Sequence, residues 1–384
     1  MIYLDNAATS FPKPEKVYEE IARCMREYCA NPGRSGHAMS IEAGRAVMQA
    51  RDTISSLFNI SNPLQLVFTK NATEALNIAI KGGLKPGDHA ITTGMEHNSV
   101  IRPLKTLERD FGVELSIVRG NDFGEIQPED IGRCIRPNTK LIAATLSSNV
   151  NGIILPVKEI GAIARDKGIT FLVDGSQGAG SVTIDVEDMN IDMLAFPGHK
   201  GLLGPQGTGG LYVREGVHIN CLMQGGTGSS SESVLQPEFM PDYMESGTLN
   251  TPGIVGLGFG ASFIKSFGIE NIKHYKSELI KRLHEGIVDI KEAKLYSKSD
   301  INKNSGIVAL CFKNMDSNEI SSLLDRKYHI ATRAGLHCAP LAHKSLGTLK
   351  CGLVRLSVGC FNTVEEIDFT ISALNEISRE VQKN

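Results

Sequence analysis

The sequence has no tryptophan and no apolar run of about 18 residues, the length that a membrane-spanning helix needs. Its N-terminus, MIYLDNAATSFPKP, lacks the basic region and the long apolar region of a secretory signal peptide. We therefore expect a cytoplasmic protein without a membrane partner.

The sequence also lacks a strong excess of either charge. Lysine and arginine number 40 against 43 aspartates and glutamates, which gives a formal charge of −3. Such a balance creates no overall field that would attract nucleic acid, so we expect no nucleic-acid partner and only local anion sites. The 384 residues suffice for about two domains.

No pair of cysteines has the CxxC spacing, although the chain contains eight cysteines. A chain of this length does not need a disulfide framework to be stable. We expect most of these residues to be reduced, buried and apolar in character, and at most one or two to take part in chemistry.

What the sequence does contain is an alternation of apolar runs with amphipathic segments such as TEALNIAIKGG and VKEIGAIARDKG. This alternation predicts an α/β fold with a mostly parallel sheet. The predicted strands are residues 64–69, 89–93, 141–146, 169–174, 192–196 and 209–214.

After about residue 255 the pattern changes to long helices and one strand candidate, residues 306–312. The last helix opens with a capping box made by Thr363 and Glu366. We predict a large domain of residues 15–255 and a smaller α+β domain made of residues 1–14 and 256–384.

Two charged residues stand at the ends of predicted strands. Asp174 ends the run ITFLVD, and Lys200 follows the run DMLAF and precedes several glycines. Ligands of parallel sheets bind beyond the carboxyl ends of the strands. Taken alone, Asp174 is more often a turn or capping residue. Together the two suit pyridoxal phosphate, in which a lysine forms a Schiff base and an aspartate keeps the pyridine nitrogen protonated.

A phosphate group would need its own site. The stretch LVFTKNATEALNIAI predicts a strand, a turn and a helix capped by Asn71 and Glu74. The first-turn N–H groups of Ala72 and Thr73, with the Thr73 hydroxyl, form a plausible phosphate site. An ordinary capped helix without a ligand explains this stretch equally well.

Three further polar residues follow predicted strands. His97 is a candidate to stack on a pyridine ring and carry a proton, although a lone histidine is more commonly a surface residue. Asn149 and Gln177 are candidates to hydrogen-bond a phenolic oxygen.

These segments resemble the fold-type I pyridoxal phosphate enzymes of the class V aminotransferase superfamily. Within it, the chain is most similar to the group II cysteine desulfurases and selenocysteine lyases. The resemblance covers nearly the whole chain and implies a large domain with a seven-stranded sheet. It rests on YLDNAATS, ATEALN, MEHNS, SSNVNG, VDGSQ, GHKGLLGPQGTG, ESGTLNTPG, TRAGLHCAP and VRLSVGCFNT.

The resemblance also implies roles for single residues. Lys200 would be the Schiff-base lysine, Asp174 would contact the pyridinium nitrogen, and His97 would stack on the ring. Thr248 would bind phosphate across the interface of a homodimer. The remaining implied contacts are Gln177 and Asn149 to the phenolic oxygen, Ala72, Thr73 and His199 to the phosphate, and Asn149 and His37 to the substrate.

The sequence departs from the family pattern at two positions. The family usually has a serine two residues before His199, but this chain has Pro197. One hydroxyl contact to the phosphate is therefore missing. Many group II relatives have a second histidine at the position of Leu336, and the apolar residue would alter access to the neighbouring cysteine.

Cys338, in TRAGLHCAP, is the candidate nucleophile because it has basic neighbours and matches the family segment. Arg355 is the candidate to bind a substrate carboxylate, and Arg333 is either a second carboxylate ligand or a cation that favours the Cys338 thiolate. The alternative for Cys338 is that it is a buried structural thiol without a role in catalysis. A metal site made of His337, Cys338 and His343 is a second one, although its spacing matches no common zinc pattern.

The resemblance implies a cysteine desulfurase, a sulfurtransferase that forms alanine from L-cysteine and leaves a persulfide on Cys338. L-Selenocysteine is the alternative substrate, and a sulfur-acceptor protein is the implied partner. An aminotransferase or a lyase acting at Cβ of another amino acid stays open. A non-catalytic sulfur carrier also stays open, although the presence of Lys200 and Asp174 counts against it.

Overall fold

A computed structural model describes residues 1–33, 35–300 and 302–381. The helices are α1 Glu15–Glu27, α2 Ala38–Leu57, α3 Ala72–Gly83, α4 Asn98–Phe111, α5 Pro128–Arg133, α6 Val157–Asp166, α7 Thr251–Phe267, α8 Ile269–Val288, α9 Ser317–Tyr328, α10 Pro340–Ser345 and α11 Val364–Val381. The strands are β1 Ile2–Tyr3, β2 Leu66–Thr69, β3 His89–Thr93, β4 Glu114–Val118, β5 Thr139–Thr145, β6 Thr170–Asp174, β7 Met193–Pro197, β8 Gly209–Val213, β9 Ala293–Leu295, β10 Ile307–Phe312, β11 Ile330–Ala331, β12 Arg333–Gly335 and β13 Leu353–Ser357.

The largest sheet has seven strands in the order β2-β8-β7-β6-β5-β3-β4. Strands β4, β3, β5, β6 and β7 are mutually parallel, and β8 runs antiparallel to both of its neighbours. The predicted α/β fold with a mostly parallel sheet is therefore confirmed. Strand β4 lies at one edge and was not among the predicted strands.

Both faces of this sheet are buried, as expected when helices cover a parallel sheet. Along β6, Phe171 and Val173 belong to one apolar cluster, while Leu172 belongs to the cluster on the other face. Because the strands are covered on both sides, the carboxyl ends are where their polar residues can meet a ligand.

A second sheet has four strands in the order β12-β13-β10-β9, all antiparallel. Its apolar cluster includes Leu310 and Leu356 from the sheet and Leu374 from α11. The predicted capping box of α11 is confirmed, because Glu366 N donates to Thr363 Oγ1 at 3.3 Å and Thr363 N donates to Glu366 Oε2 at 3.1 Å.

Strand β1 pairs in parallel with β11, which attaches the N-terminus to the C-terminal part of the chain. Helix α7 packs against α1 and α2. The proposed domain boundary near residue 255 stays a prediction. Among the described helices, none is by itself long and apolar enough to cross a membrane; only α7 and α8 taken together have that length and composition, and they are bent by 81°.

Candidate active site

A cavity of about 200 Å³ lies at the carboxyl ends of the central strands. It brings together residues that are distant in sequence and that come from β5, β6 and β7 and the starts of α3 and α4. Its lining includes Ala72, Thr73, His97, Asn149, Asp174, Gln177, His199 and Lys200. The residues named from the strand ends are thus neighbours in space.

Asp174 and Lys200 hold the charged centre of this cavity. Asp174 is the last residue of β6, is 2% exposed, and accepts a hydrogen bond from Ser176 N at 2.9 Å. Lys200 comes three residues after the end of β7. Burial lowers the pKa of its amine from 10.5 to about 8, although the nearby Asp174 carboxylate acts in the opposite direction. The amine is therefore far easier to deprotonate than a surface lysine.

His97 is fixed by the start of α4, where it is the N-cap residue. Its Nδ1 accepts a hydrogen bond from Ser99 N at 3.1 Å and lies 2.8 Å from Ser99 Oγ. Burial lowers the pKa of His97 to about 4, so the ring is neutral near pH 7. Since Nδ1 is an acceptor, Nε2 carries the proton of the neutral ring.

Another group of lining residues suits an anion. Asn71 caps α3 by accepting from Glu74 N at 2.9 Å, which leaves Ala72 and Thr73 in the first helical turn, where N–H groups lack helical partners. The Nδ1 atom of His199 is buried without a hydrogen-bond partner among the described residues. This unpartnered nitrogen beside a helix N-terminus fits a bound phosphate group.

Two amide side chains also line the cavity. Gln177 Nε2 donates to Ala7 O at 2.9 Å, and Asn149 Nδ2 donates to His337 O at 2.6 Å. Each amide nitrogen has a second hydrogen that it can donate to a ligand. Asn149 therefore joins the cavity to the loop that carries Cys338.

The Cys338 loop is docked beside His97. The carbonyl oxygen of Cys338 accepts a hydrogen bond from Asn98 N at 2.8 Å, and Asn98 is the first residue of α4. His337 and Cys338 have φ values of 50° and 55°, an uncommon conformation for residues other than glycine. Cys338 is exposed, and Arg333 Nη2 lies 3.8 Å from its sulfur.

Arg355 is 0% exposed and is already hydrogen-bonded. Its Nη1 donates to Asn149 O at 2.8 Å, and its Nη2 donates to Asp5 Oδ1 at 2.8 Å. Its Nε is buried and has no partner among the described residues. Asn149 O and Asp5 therefore occupy two of the five N–H groups, and a substrate carboxylate at Arg355 would have to meet the remaining ones or compete with Asp5.

His337 and His343, two members of the alternative metal site, contact each other instead. His337 Nδ1 lies 3.4 Å from His343 Nε2, and His343 Nδ1 lies 2.8 Å from Thr348 Oγ1. Within residues 1–33, 35–300 and 302–381, no group of three or more histidine, cysteine, aspartate or glutamate side chains is arranged to hold a metal ion.

Five of the candidate residues lie outside the cavity lining: Cys338, Arg333 and Arg355, whose surroundings are given above, and His37 and Thr248. His37 is exposed and caps α2, where its Nδ1 accepts from Ser40 N at 3.3 Å. Thr248 is exposed in the long connection between β8 and α7. Their roles toward substrate and phosphate stay predictions.

Sequence reasoning missed several polar residues of this region. Ser99, Thr145, Ser147 and Ser176 line the cavity, and Asp5 pairs with Arg355 across 350 positions of the chain. Asp5 lies within the segment YLDNAATS, but no spacing rule connects it with an arginine near the other terminus. The serines and threonines are too common to be distinguished by type alone.

The sheet order and the polar cavity at its carboxyl edge define an α/β protein with an enzyme-like pocket. The chain belongs to the class V aminotransferase family, whose pattern it matches over residues 2–369.

Among the relatives, a protein from Methanothermobacter thermautotrophicus named "probable cysteine desulfurase" is 36% identical over 98% of this chain and 94% of its own length. The apo structure of a cysteine desulfurase from Thermococcus onnurineus NA1 has a TM-score of 0.92 and 33% identity, and covers 99% of this chain and 95% of that chain. The cysteine desulfurase CsdA from Escherichia coli, solved in an S-sulfonic acid form, has a TM-score of 0.88 and 26% identity over 99% of this chain and 94% of that one.

Proposed function

We propose that the protein is a pyridoxal phosphate-dependent cysteine desulfurase that converts L-cysteine to L-alanine and carries the released sulfur as a persulfide on Cys338. The observation that carries this proposal is the docking of the Cys338 loop on the start of α4, next to His97 and the cavity that contains Lys200. Relatives named as cysteine desulfurases along the whole chain support it.

The residues present fit the cofactor. When bound, pyridoxal phosphate supplies an electron sink that accepts the electrons of bonds broken at the substrate carbons. Asp174 would hold the ring nitrogen protonated, and Gln177 and Asn149 would donate to the phenolic oxygen. The phosphate would lie between the N-terminus of α3 and His199, whose Nδ1 has no partner among the described residues.

Lys200 supplies a basic amine in the lining of the cavity. Because burial lowers its pKa to about 8, a substantial fraction of the amine is unprotonated near neutral pH. The amine would therefore hold the cofactor covalently when it is bound, and would serve as the base that accepts the proton from the substrate Cα. His97 is neutral and has a proton on Nε2, so it suits proton donation during the reaction.

Cys338 acts on the substrate sulfur. Its thiolate would attack that sulfur and the bond between the substrate sulfur and Cβ would break, with its electron pair left on the carbon side. Cβ would then take up a proton as alanine forms, and the sulfur atom would remain on Cys338 as a persulfide. Arg333 Nη2 lies 3.8 Å from the Cys338 sulfur, so a guanidinium stands beside the attacking atom. Since Cys338 is exposed, a sulfur-acceptor protein can reach the persulfide, and the exposed Leu336 would be part of the contact surface.

A homodimer completes the proposal. Thr248 is exposed, and the segment before it carries exposed apolar side chains, including Val234, Leu235 and Phe239. Such a surface favours association with another protein copy. A second copy would cover it, and Thr248 would reach the phosphate of the partner's cofactor.

The first experiment measures alanine formation from L-cysteine and from L-selenocysteine, with a reductant present. We expect the wild-type protein to form alanine from cysteine, and Cys338→Ala to lose this activity while it keeps bound cofactor. The exposed Cys29 provides a matched control, because Cys29→Ala should retain full activity.

The result also separates the alternatives. Retained selenocysteine turnover in Cys338→Ala would support the persulfide mechanism, since a C–Se bond breaks more easily than a C–S bond. Full cysteine activity in Cys338→Ala would contradict it. Formation of a 2-oxo acid in place of alanine would identify an aminotransferase.

A further inference from the structure

Several cationic side chains lie around the exposed thiol of Cys338. Arg333 is in direct contact, because its Nη2 lies 3.8 Å from the Cys338 sulfur. Arg102 is exposed on α4, whose first residue, Asn98, donates its N–H to Cys338 O. Arg102 comes four residues after Asn98, so it lies only about 6 Å further along the helix axis.

Two more cations come from neighbouring segments. Lys344 is exposed on α10, which begins two residues after Cys338. Ser345 follows Lys344 and ends α10, and a Cβ added to Gly94 would lie 3.0 Å from Ser345 Oγ and 3.4 Å from Arg119 Cα. The end of α10 and the exposed Arg119 are therefore close in space. We call the four side chains Arg102, Arg119, Arg333 and Lys344 the basic rim.

The basic rim is not neutralised by ion pairs. In the part of the chain that the structure describes, none of its members pairs with a carboxylate. Glu108 of α4 is paired with Lys105 instead. Asp122 is exposed three positions after Arg119, and this single carboxylate leaves the rim with an excess of positive charge. The rim is thus a local positive surface on a chain whose formal charge is −3.

The same surface offers an apolar contact. Leu336, two residues before Cys338, is 40% exposed. Protein interfaces commonly combine apolar contacts with a polar rim. The backbone of a nucleic acid would meet the cations but would leave Leu336 without an apolar partner. The combination therefore favours a protein.

We propose that the basic rim binds the acidic face of a protein that carries the acceptor thiol for the sulfur on Cys338. This inference rests on the proposed function and deepens it, because it states the chemistry of the partner. Complementary charges raise the rate of encounter about 10- to 1000-fold at low ionic strength. Salt screens exposed charges, so this advantage should be largely lost at high ionic strength.

The transfer needs no further reactant. The acceptor thiolate attacks the outer sulfur of the persulfide, the S–S bond breaks, and Cys338 leaves as a thiolate. The acceptor then holds the persulfide, and its thiol proton passes to solvent or to Cys338. No external oxidant or reductant takes part.

The first experiment measures the electrostatic potential at Cys338, and its result does not depend on the proposed function. The protein is treated with an anionic and with a cationic methanethiosulfonate reagent, which carry ethylsulfonate and ethyltrimethylammonium groups. The tryptic peptide 334–344, whose one cysteine is Cys338, reports the two rates. We expect the ratio of the anionic to the cationic rate at Cys338 to exceed that at the exposed Cys29 about tenfold. Sodium chloride at about 0.5 M should bring the two ratios together.

Charge reversal assigns this effect to the basic rim. The triple variant combines Arg102→Glu, Arg119→Glu and Lys344→Glu, and it keeps Arg333 because that side chain contacts the thiol. We expect the triple variant to lower the ratio about tenfold, and each single variant about twofold, so that the singles decide if the triple variant folds poorly. Lys81→Glu is the matched control, because this exposed lysine lies about 14 Å along α3 from the cavity end of that helix.

The second experiment measures sulfur transfer. After a single turnover with L-cysteine, the protein is mixed with synthetic peptides in which one cysteine is flanked by glutamates or by lysines, each made with leucine or with serine next to the cysteine. We expect the glutamate peptide with leucine to take up sulfur about tenfold faster than the lysine peptide at low salt. The triple variant should reverse this preference, while its yield of alanine in the single turnover equals that of the wild type.

The outcomes separate the two proposals. If the wild type forms no alanine, the proposed function fails and the acceptor inference fails with it. If alanine forms but the glutamate and lysine peptides react equally fast, or if the triple variant keeps the wild-type reagent ratio, only the acceptor inference is overturned. Equal rates for the leucine and serine peptides would indicate an anionic partner without an apolar contact, such as a nucleic acid, and would overturn the protein partner.

Discussion

Arg333 and Arg355 lie directly opposite each other on the antiparallel strands β12 and β13. Residues opposed in this way project from the same face, and like charges in such a pair destabilise a sheet. Asp5 is paired with Arg355, whereas Arg333 contacts the Cys338 sulfur. The two arginines therefore carry more positive charge than the single Asp5 carboxylate neutralises, and a substrate carboxylate would supply the second negative charge.

The substitution Arg355→Lys tests this interpretation while it keeps a cation beside Asp5. We expect the KM for L-cysteine to rise about 10- to 100-fold, because a charge-assisted hydrogen bond contributes about 1.5–3 kcal/mol. Cofactor content should not change. Steady-state kinetics measure KM in the wild type, in Arg355→Lys and in the control variant Arg326→Lys, which changes an exposed arginine. An unchanged KM in Arg355→Lys would show that Arg355 does not bind the substrate.

The lowered pKa of Lys200 predicts how the apoprotein takes up its cofactor. Only the unprotonated amine reacts, so the rate of covalent pyridoxal phosphate incorporation should rise about tenfold per pH unit below about 8 and level off above it. Borohydride reduction at timed intervals, followed by mass spectrometry, gives the rate.

Peptide mapping must locate the modified lysine, because burial also lowers the pKa of Lys276 to about 8. Lys200→Ala should incorporate no reducible cofactor at the site. If the incorporation rate instead levelled off near pH 10, as for a surface lysine, the Lys200 amine would not be buried in the cavity.

Glu96 should make the protein less stable as the pH rises. It is fully buried, its Oε1 accepts from Thr93 Oγ1 and Thr145 N, and its Oε2 has no partner among the described residues. Burial raises its pKa from 4.5 to about 8. The folded state therefore binds a proton between these pH values that the unfolded state has lost, and stability falls across this window.

The variant Glu96→Gln removes this penalty while it keeps the acceptor oxygen. We compare the free energy of unfolding of Glu96→Gln with that of the wild type at each pH. Between pH 4 and pH 9 we expect this difference to change by about 2 to 4 kcal/mol in favour of the variant. Urea denaturation across this pH range measures the effect, with the exposed Glu159→Gln as control. Equal pH dependence in both proteins would contradict the assignment.

The sequence predicted those features of the fold and the site that depend on residues close together in the chain. The capping residues Asn71 and Thr363 occur where their patterns indicated, because each cap involves residues only three positions apart. The strand that ends at Asp174 and the strand that ends three residues before Lys200 followed from apolar runs of strand length.

Non-local features escaped prediction. Strand β4, ELSIV, is at a sheet edge and only partly buried, so it lacks the continuous apolar run that revealed the central strands. The pairing of Asp5 with Arg355 and the hydrogen bond from Asn98 N to Cys338 O depend on how separate segments pack. No spacing within the sequence encodes either contact.

The buried pair His337 and His343 should position the Cys338 loop. The two rings are stacked with planes at 12°, and His343 is 0% exposed. Replacing His343 with alanine leaves a cavity behind His337 and removes the partner of Thr348 Oγ1. We expect His343→Ala to lower the rate of alanine formation about tenfold, because a small displacement of a reacting group is costly.

A merely structural role would lower the melting temperature without changing the chemistry of each folded molecule. Activity is therefore normalised to bound cofactor, and the alkylation rate of Cys338 by iodoacetamide is measured in the same samples. His218→Ala, at an exposed histidine, is the matched control. If normalised activity and Cys338 alkylation both equal those of the wild type, His343 stabilises the fold but does not position the nucleophile.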